Sequence, residues 1–231
     1  AWPGSDDRLP YLGTQRIVRY APNLTSMVAP WHGTREGPTL AVGVSRFTDT
    51  SLPPLAGAAA EARAVAAVYG ALGTLRLDCT RAQFVDEPLP RYRVVHLASH
   101  GSSLLQGDCR DDPLGAGVAL HDGTIDGWQL ASLDLPAEFV VLAACHSGQR
   151  AVGGRGMGAL PGDDLLGLQG ALFEAGVGST LGTLWPIDDE GAIPLLTALH
   201  EAFARGADPD AALHLALNQQ LRAHGAAHGH V

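Results

Sequence analysis

The sequence predicts an α/β fold built on a doubly wound, mainly parallel sheet that is flanked by helices. Apolar runs of strand length alternate with helical stretches from residue 39 onward, which is typical of βαβ units. The runs are short, almost continuously apolar and rich in Val, Leu and Ala, as in strands that are buried on both faces. The 231 residues suffice for one domain of generous size or at most two small ones.

The individual elements are predicted from these runs in chain order. Five strands are expected over residues 40–47, 75–79, 93–99, 139–145 and 179–185. Helices are expected over residues 56–69, 163–175, about 190–205 and 209–222. Asp208 followed by Pro209 is a typical helix start, because it combines an N-cap residue with a proline at the first helical position.

Three further segments complete the predicted organisation. A polar, Gly-rich insert separates strands three and four over residues 101–135, and within it residues 117–125 predict a small β-hairpin with an Asp-Gly turn. Residues 1–38 are rich in Pro, Gly and small polar residues, and the stretch 15–20 predicts an edge strand. We expect a domain over 39–223, a segment 1–38 that remains from an upstream part, and a frayed tail over 224–231.

Charge and composition exclude several classes of protein. With 15 basic and 24 acidic residues the net charge is −9, which argues against a nucleic-acid-binding surface. The chain has no apolar run of about 18 residues, so no membrane span is predicted, and its start does not resemble a signal peptide. The 3 widely spaced cysteines do not form a disulfide framework, which favours the reducing cytoplasm.

The ends of the third and fourth predicted strands carry the residues best suited to catalysis. His100 ends one and Cys145 ends the other, and ligands of open α/β sheets bind outside the carboxyl ends of the strands. If the two strands are neighbours, the imidazole lies beside the thiol and favours the thiolate, as in the nucleophile–base pair of cysteine catalysis. The N–H groups of Gly101 and Cys145 are then candidates for an oxyanion hole.

Each of these residues also has a plainer interpretation. Cys145 taken alone is more typical of a buried core thiol, and His100 of a turn histidine. His96 shares the predicted sheet face of His100, and we expect a core histidine with satisfied hydrogen bonds. His146 is expected to point to the opposite face from Cys145, in a structural role.

A metal site and other cofactor sites are not expected. Zinc accepts the ligand types present in His96, His100, Cys145 and His146, but strand alternation points the last two to opposite faces. The Gly-rich stretch 153–158 resembles a phosphate loop but lacks Gly-Lys-Ser/Thr, and no Gly-x-Ser-x-Gly elbow occurs. Cys79 and Cys109 are interpreted as structural and loop thiols.

The order of short motifs resembles the CHAT domain, a relative of the caspase-like and separase-like cysteine peptidases. The motifs are His-x-x-x-His-Gly at 96–101, Ala-Cys-x-Ser-Gly at 144–148 and Gly-x-Leu-Trp at 182–185, followed by two helices. The resemblance runs from about residue 11 to 222 and implies that His100 and Cys145 cleave a protein or peptide substrate through a thioester acyl-enzyme. It also implies an upstream sensor or repeat domain, fused or associated. The alternative is a catalytically idle protein-interaction module of the same fold.

The resemblance extends to substrate specificity. The caspase signature Gln-Ala-Cys-x-Gly is not met, so strict cleavage after Asp is not implied. Separases carry acidic residues after a similar Leu-Trp, which makes Asp189, then Asp188, candidates to bind a basic residue before the scissile bond. Asp163 and Asp164 are a second possibility, although acidic residues at a helix start also serve as caps. Cleavage after Arg would make Arg150 and Arg155 self-processing sites.

Overall fold

The computed structural model describes residues 15–20, 31–101, 113–145, 147, 167–183 and 188–224. Within these ranges the chain forms seven β-strands and six α-helices. In chain order they are β1 (Thr39–Gly43), α1 (Ala56–Tyr69), β2 (Gly73–Leu77), α2 (Arg81–Val85), β3 (Val94–Ala98), β4 (Gly117–Leu120), β5 (Gly123–Asp126), α3 (Gly127–Ala131), β6 (Phe139–Ala143), α4 (Leu168–Glu174), β7 (Ser179–Gly182), α5 (Asp189–Ala204) and α6 (Pro209–His224).

Five of the strands form one parallel sheet in the order β2-β1-β3-β6-β7. All residues of β1 and β3 are buried, which explains why their sequences are continuously apolar. Strand β2 pairs on one side of β1, and the next strand of the sheet, β3, pairs on its other side. The direction in which successive strands are added to the sheet therefore reverses between β1 and β3. The doubly wound α/β prediction is confirmed.

Helices cover both faces of the sheet because side chains alternate along each strand. Val94, Phe139 and Val141 pack against helices α5 and α6 on one face. Val95, Leu97, Val140 and Leu142 face the other way and pack with residues of α3, α4 and the β4–β5 pair. Each fully buried Leu or Val contributes roughly 1.5–3 kcal/mol of hydrophobic stabilisation, so the two clusters hold the sheet in place between its helices.

The antiparallel hairpin of β4 and β5 lies between β3 and β6 in the chain, with His121 and Asp122 as its two-residue turn. It attaches to the end of β3, since the Ala119 N–H donates to the His100 carbonyl oxygen at 2.9 Å and Gly101 forms an isolated bridge with Val118. The hairpin therefore supports the chain at the point where β3 ends.

Several predicted elements differ from the structure. The third and fourth strands were predicted to end in His100 and Cys145, but they end at Ala98 and Ala143, two residues earlier. The first strand ends at Gly43, before its predicted end, because the N–H groups of Ser45 and Arg46 turn to the Asp78 carboxylate, at 2.9 and 3.0 Å. Residues 15–20 form no strand, so that prediction is wrong; Arg19 instead pairs with Asp210 at the start of α6. Among the described helices, none combines the length and the hydrophobicity that crossing a bilayer requires.

Candidate active site

The pairing of β3 with β6 puts side by side the ends of the two strands that precede His100 and Cys145. The two strands are parallel neighbours with Ala98 opposite Ala143, and the Ser99 N–H continues the pairing by donating to the Ala143 carbonyl oxygen at 3.1 Å. The paired register ends at Ala98 and Ala143, so His100 and Cys145 each lie two residues beyond the ends of neighbouring strands that are about 4.8 Å apart. Both residues are partly exposed.

The His100 ring is held by the segment that follows β1. Its Nε2 lies 2.8 Å from the carbonyl oxygen of Pro53, and the Phe47 ring lies 5.0 Å away between centroids. A carbonyl oxygen only accepts hydrogen bonds, so Nε2 carries the proton and the lone pair of the neutral ring is on Nδ1. Nδ1 is therefore the ring nitrogen that can accept a proton. Sequence reasoning missed Pro53 and Phe47.

Gly101 is required by the close approach of the two strand ends. A Cβ atom at this position would lie 2.2 Å from the Cys145 carbonyl oxygen, a distance that no side chain tolerates. Among the described residues, no acceptor receives a hydrogen bond from the N–H of Gly101 or of Cys145. The two backbone segments that carry these predicted oxyanion-hole donors are thus in close contact.

The turn that carries Cys145 is fastened to the end of β7. Ser147 is only 2% exposed, and its Oγ donates to the Leu142 carbonyl oxygen at 2.8 Å and accepts from the Thr183 N–H at 3.1 Å. The Thr183 hydroxyl donates to the Ala144 carbonyl oxygen at 2.6 Å. In the sequence Ser147 stands out only as part of the motif at 144–148, and sequence reasoning missed the role of Thr183.

A buried chain of hydrogen bonds crosses the sheet face that carries His96. His96 Nε2 lies 2.7 Å from Glu61 Oε1, and His96 Nδ1 lies 3.0 Å from His200 Nε2. His200 Nδ1 in turn lies 2.9 Å from the Tyr69 hydroxyl. With the carboxylate as the final acceptor, each ring donates through Nε2 and accepts at Nδ1. His96 is fully buried and bonded at both nitrogens, as expected for a core histidine.

Burial shifts the pKa of two members of this hydrogen-bond chain, His200 and Tyr69. It lowers the pKa of His200 well below its ordinary value, and the neighbouring His96 adds to the effect. Burial also raises the pKa of the Tyr69 hydroxyl. In the part of the chain that the structure describes, no group of three or more His, Cys, Asp or Glu side chains is arranged to hold a metal ion.

The structure locates some of the other predicted residues. Asp188 is exposed and caps α5, since its Oδ2 accepts from the Gly191 N–H at 2.7 Å, and Asp189 is the first residue of that helix. Cys79 lies in the core, where burial raises the pKa of its thiol to about 11. The remaining predicted residues lie outside the described residues: Cys109, His146, Arg150, Arg155, Asp163 and Asp164.

A comparison with known protein families agrees with the observed α/β fold. A family model described as the CHAT domain matches residues 2–229, nearly the whole chain. Comparison with curated proteins finds no match. The parallel five-stranded sheet with helices on both faces is consistent with the caspase-like α/β fold. The chain therefore belongs to the CHAT domain family, a family of caspase-like cysteine peptidases.

Proposed function

We propose that this CHAT domain is a cysteine endopeptidase with Cys145 as nucleophile and His100 as general base. The observation that supports the proposal is the parallel register of β3 and β6, which pairs Ala98 with Ala143 at the carboxyl edge of the sheet, two residues before His100 and Cys145. The bond from His100 Nε2 to the Pro53 carbonyl oxygen adds to it, because it leaves Nδ1 with the lone pair that a base needs.

The reaction proceeds in two halves. His100 Nδ1 takes the thiol proton, and the Cys145 thiolate attacks the carbonyl carbon of the scissile peptide bond. The oxyanion that forms is bound by the N–H groups of Gly101 and Cys145. The C–N bond then breaks, the imidazolium gives its proton to the leaving amine, and a thioester remains on Cys145. Water, deprotonated by His100, hydrolyses that thioester and restores the thiol.

Specificity and regulation extend the proposal. Asp189, with Asp188 beside it, binds an Arg or Lys side chain before the scissile bond, and Asp163 and Asp164 are the second pair of candidates. The Gly191 N–H already donates a hydrogen bond to one carboxylate oxygen of Asp188. This supports Asp189 as the main carboxylate that binds the basic side chain of the substrate. The substrate is a protein in the cytoplasm, and an upstream sensor or repeat domain, fused or associated, controls access to it.

A peptide-library cleavage profile tests the proposal. The wild-type chain is expected to cleave, and Cys145→Ala is expected to cleave nothing. Cys79→Ala is the matched control, because it removes a thiol that burial keeps protonated, and it should leave the profile unchanged. A wild-type chain that cleaves no peptide, with a Cys145 thiol no more reactive than a free cysteine, would contradict the proposal and favour an interaction module.

A further inference from the structure

The peptide group between Ala144 and Cys145 is held more firmly than a turn requires. Its carbonyl oxygen accepts two hydrogen bonds, one from the Thr183 hydroxyl at 2.6 Å and one from the Ser147 N–H at 3.1 Å. A carbonyl oxygen has two lone pairs, so its capacity to accept is filled by these two donors.

Fixing this carbonyl also fixes the N–H on the other side of the same peptide group. A trans peptide is planar, and its C=O and N–H point in opposite directions. The Cys145 N–H therefore points away from Thr183 and Ser147. Hydrogen bonds to the carbonyl also polarise the peptide and strengthen its N–H as a donor.

Thr183 is itself anchored at its backbone. Its N–H donates to Ser147 Oγ at 3.1 Å, and Ser147 is 2% exposed. Thr183 follows directly on β7, whose last residue Gly182 pairs with Leu142 of β6. Strand β7 and the hydrogen bond to Ser147 thus fix the position of the Thr183 backbone. From this position the Thr183 hydroxyl donates to the carbonyl oxygen of Ala144, the residue before Cys145.

We propose that Thr183 is a positioning residue for the oxyanion hole, whose hydroxyl orients the Ala144–Cys145 peptide so that the Cys145 N–H faces the developing oxyanion. The inference rests on the proposed function, since it requires Cys145 to be acylated. It separates two tasks of one residue: the Cys145 sulfur attacks, and the Cys145 N–H, aimed by Thr183, stabilises the product of the attack.

Two small reagents separate these tasks without a peptide substrate. In p-nitrophenyl acetate the thiolate attacks the ester carbonyl, an oxyanion forms, the C–O bond breaks and p-nitrophenolate leaves, with the acetyl group on sulfur. In iodoacetamide the thiolate displaces iodide from carbon, and no oxyanion forms. Both rates are measured for Cys145 after subtraction of the Cys145→Ala background.

Thr183→Val keeps the shape of the side chain and removes the hydroxyl. We expect its acetylation rate to fall about tenfold or more, with the roughly 100–1000-fold loss that follows complete removal of an oxyanion donor as the upper limit. Its rate with iodoacetamide should match the wild type, and Thr183→Ser should restore acetylation. Thr180→Val, a matched change within β7, should alter neither rate. If Thr183→Val does not fold, Thr183→Ala compared with Thr183→Ser gives the same contrast.

The outcomes separate the inference from the proposed function. Equal rates of acetylation in wild type and Thr183→Val, or a loss of both reactions together, overturn the positioning role of Thr183. A wild-type Cys145 that reacts with either reagent no faster than N-acetylcysteine overturns the proposed function, and the inference falls with it.

Discussion

His96 and His200 are joined ring to ring in the core, with His96 Nδ1 3.0 Å from His200 Nε2. Glu61 bonds the far side of His96, and Tyr69 bonds the far side of His200. Two helices and a central strand are thereby linked by polar groups within an otherwise apolar layer. Their joint burial makes the domain sensitive to acid, which leads to the first prediction.

Stability should fall as the pH drops below about 6.5. The pKa of His200 is lowered in the folded protein, while an unfolded chain binds a proton at this residue near pH 6.5. The unfolded state therefore binds more protons below that pH, and the free energy of unfolding decreases by up to ~1.4 kcal/mol per pH unit for one such group. Urea unfolding between pH 7.5 and 5.5 measures this slope. A His200→Gln variant with the same slope would contradict the assignment to His200.

Substitution of His96, which lies in β3, and of His100, which follows this strand, should have different effects. His100→Ala should slow the alkylation of Cys145 by iodoacetamide near neutral pH, because the imidazole favours the thiolate. His96→Ala should instead lower the free energy of unfolding by roughly 1–3 kcal/mol for each buried partner left unpaired, here Glu61 and His200. Alkylation kinetics and urea unfolding of both variants distinguish the roles, and an exchange of the two effects would reverse the assignment.

Gly101→Ala should remove activity. The added Cβ would lie 2.2 Å from the Cys145 carbonyl oxygen, so the strand ends must separate and misalign the two N–H donors, with a loss of roughly 100-fold in acylation. Gly70→Ala is the control, since its Cβ meets nothing within 4 Å but its φ of +56° is unfavourable for alanine. It should cost roughly 1–3 kcal/mol of stability, because φ +56° with ψ −121° is a conformation that alanine rarely adopts, and it should leave Cys145 reactivity unchanged. Acylation at the wild-type rate in Gly101→Ala would contradict the prediction.

Substitutions of Asp188 and of Asp189 should have different effects, because Asp188 caps a helix and Asp189 is proposed to bind the substrate. Asp188→Ala should cost about 1 kcal/mol of stability through loss of the bond to Gly191, and Asp188→Asn should retain most of it. Asp189→Ala should abolish cleavage after Arg while Cys145 alkylation stays unchanged. A library profile of the wild type that shows cleavage after apolar or acidic residues would rule out the basic specificity without any variant.

The sequence predicted the sheet and the helices well where burial alone determines them. Helix α1 has the predicted bounds, since an Ala-rich stretch ends at Gly70 with a φ of +56°. The end of the first strand was predicted too late in the chain, because the Asp78 carboxylate accepts hydrogen bonds from the backbone N–H groups that follow Gly43. Such a bond depends on residues distant in sequence, so no local pattern indicates it.

The same distinction applies to the candidate site. His100 and Cys145 stand out in sequence because polar, reactive residues end two apolar strands. Pro53 contributes only a backbone carbonyl oxygen, which every residue possesses, so its type gives no indication of the role. Thr183 bonds the turn through a hydroxyl, but threonine is common in strands, and only the pairing of β6 with β7 brings it to Ala144.

The pairing of β3 with β6 also determines when, during folding, the site comes into existence. Ala98 pairs with Ala143 only after the residues between them have formed a closed loop. Parallel pairing of this kind is non-local and slow. A nascent or partly opened chain therefore holds an imidazole and a thiol that are far apart, and its thiol reacts only as an ordinary free cysteine does. We expect the enhanced reactivity of Cys145 to appear late in refolding and to be lost early on local opening, so that the rate at which the thiol reacts reports the completion of the sheet.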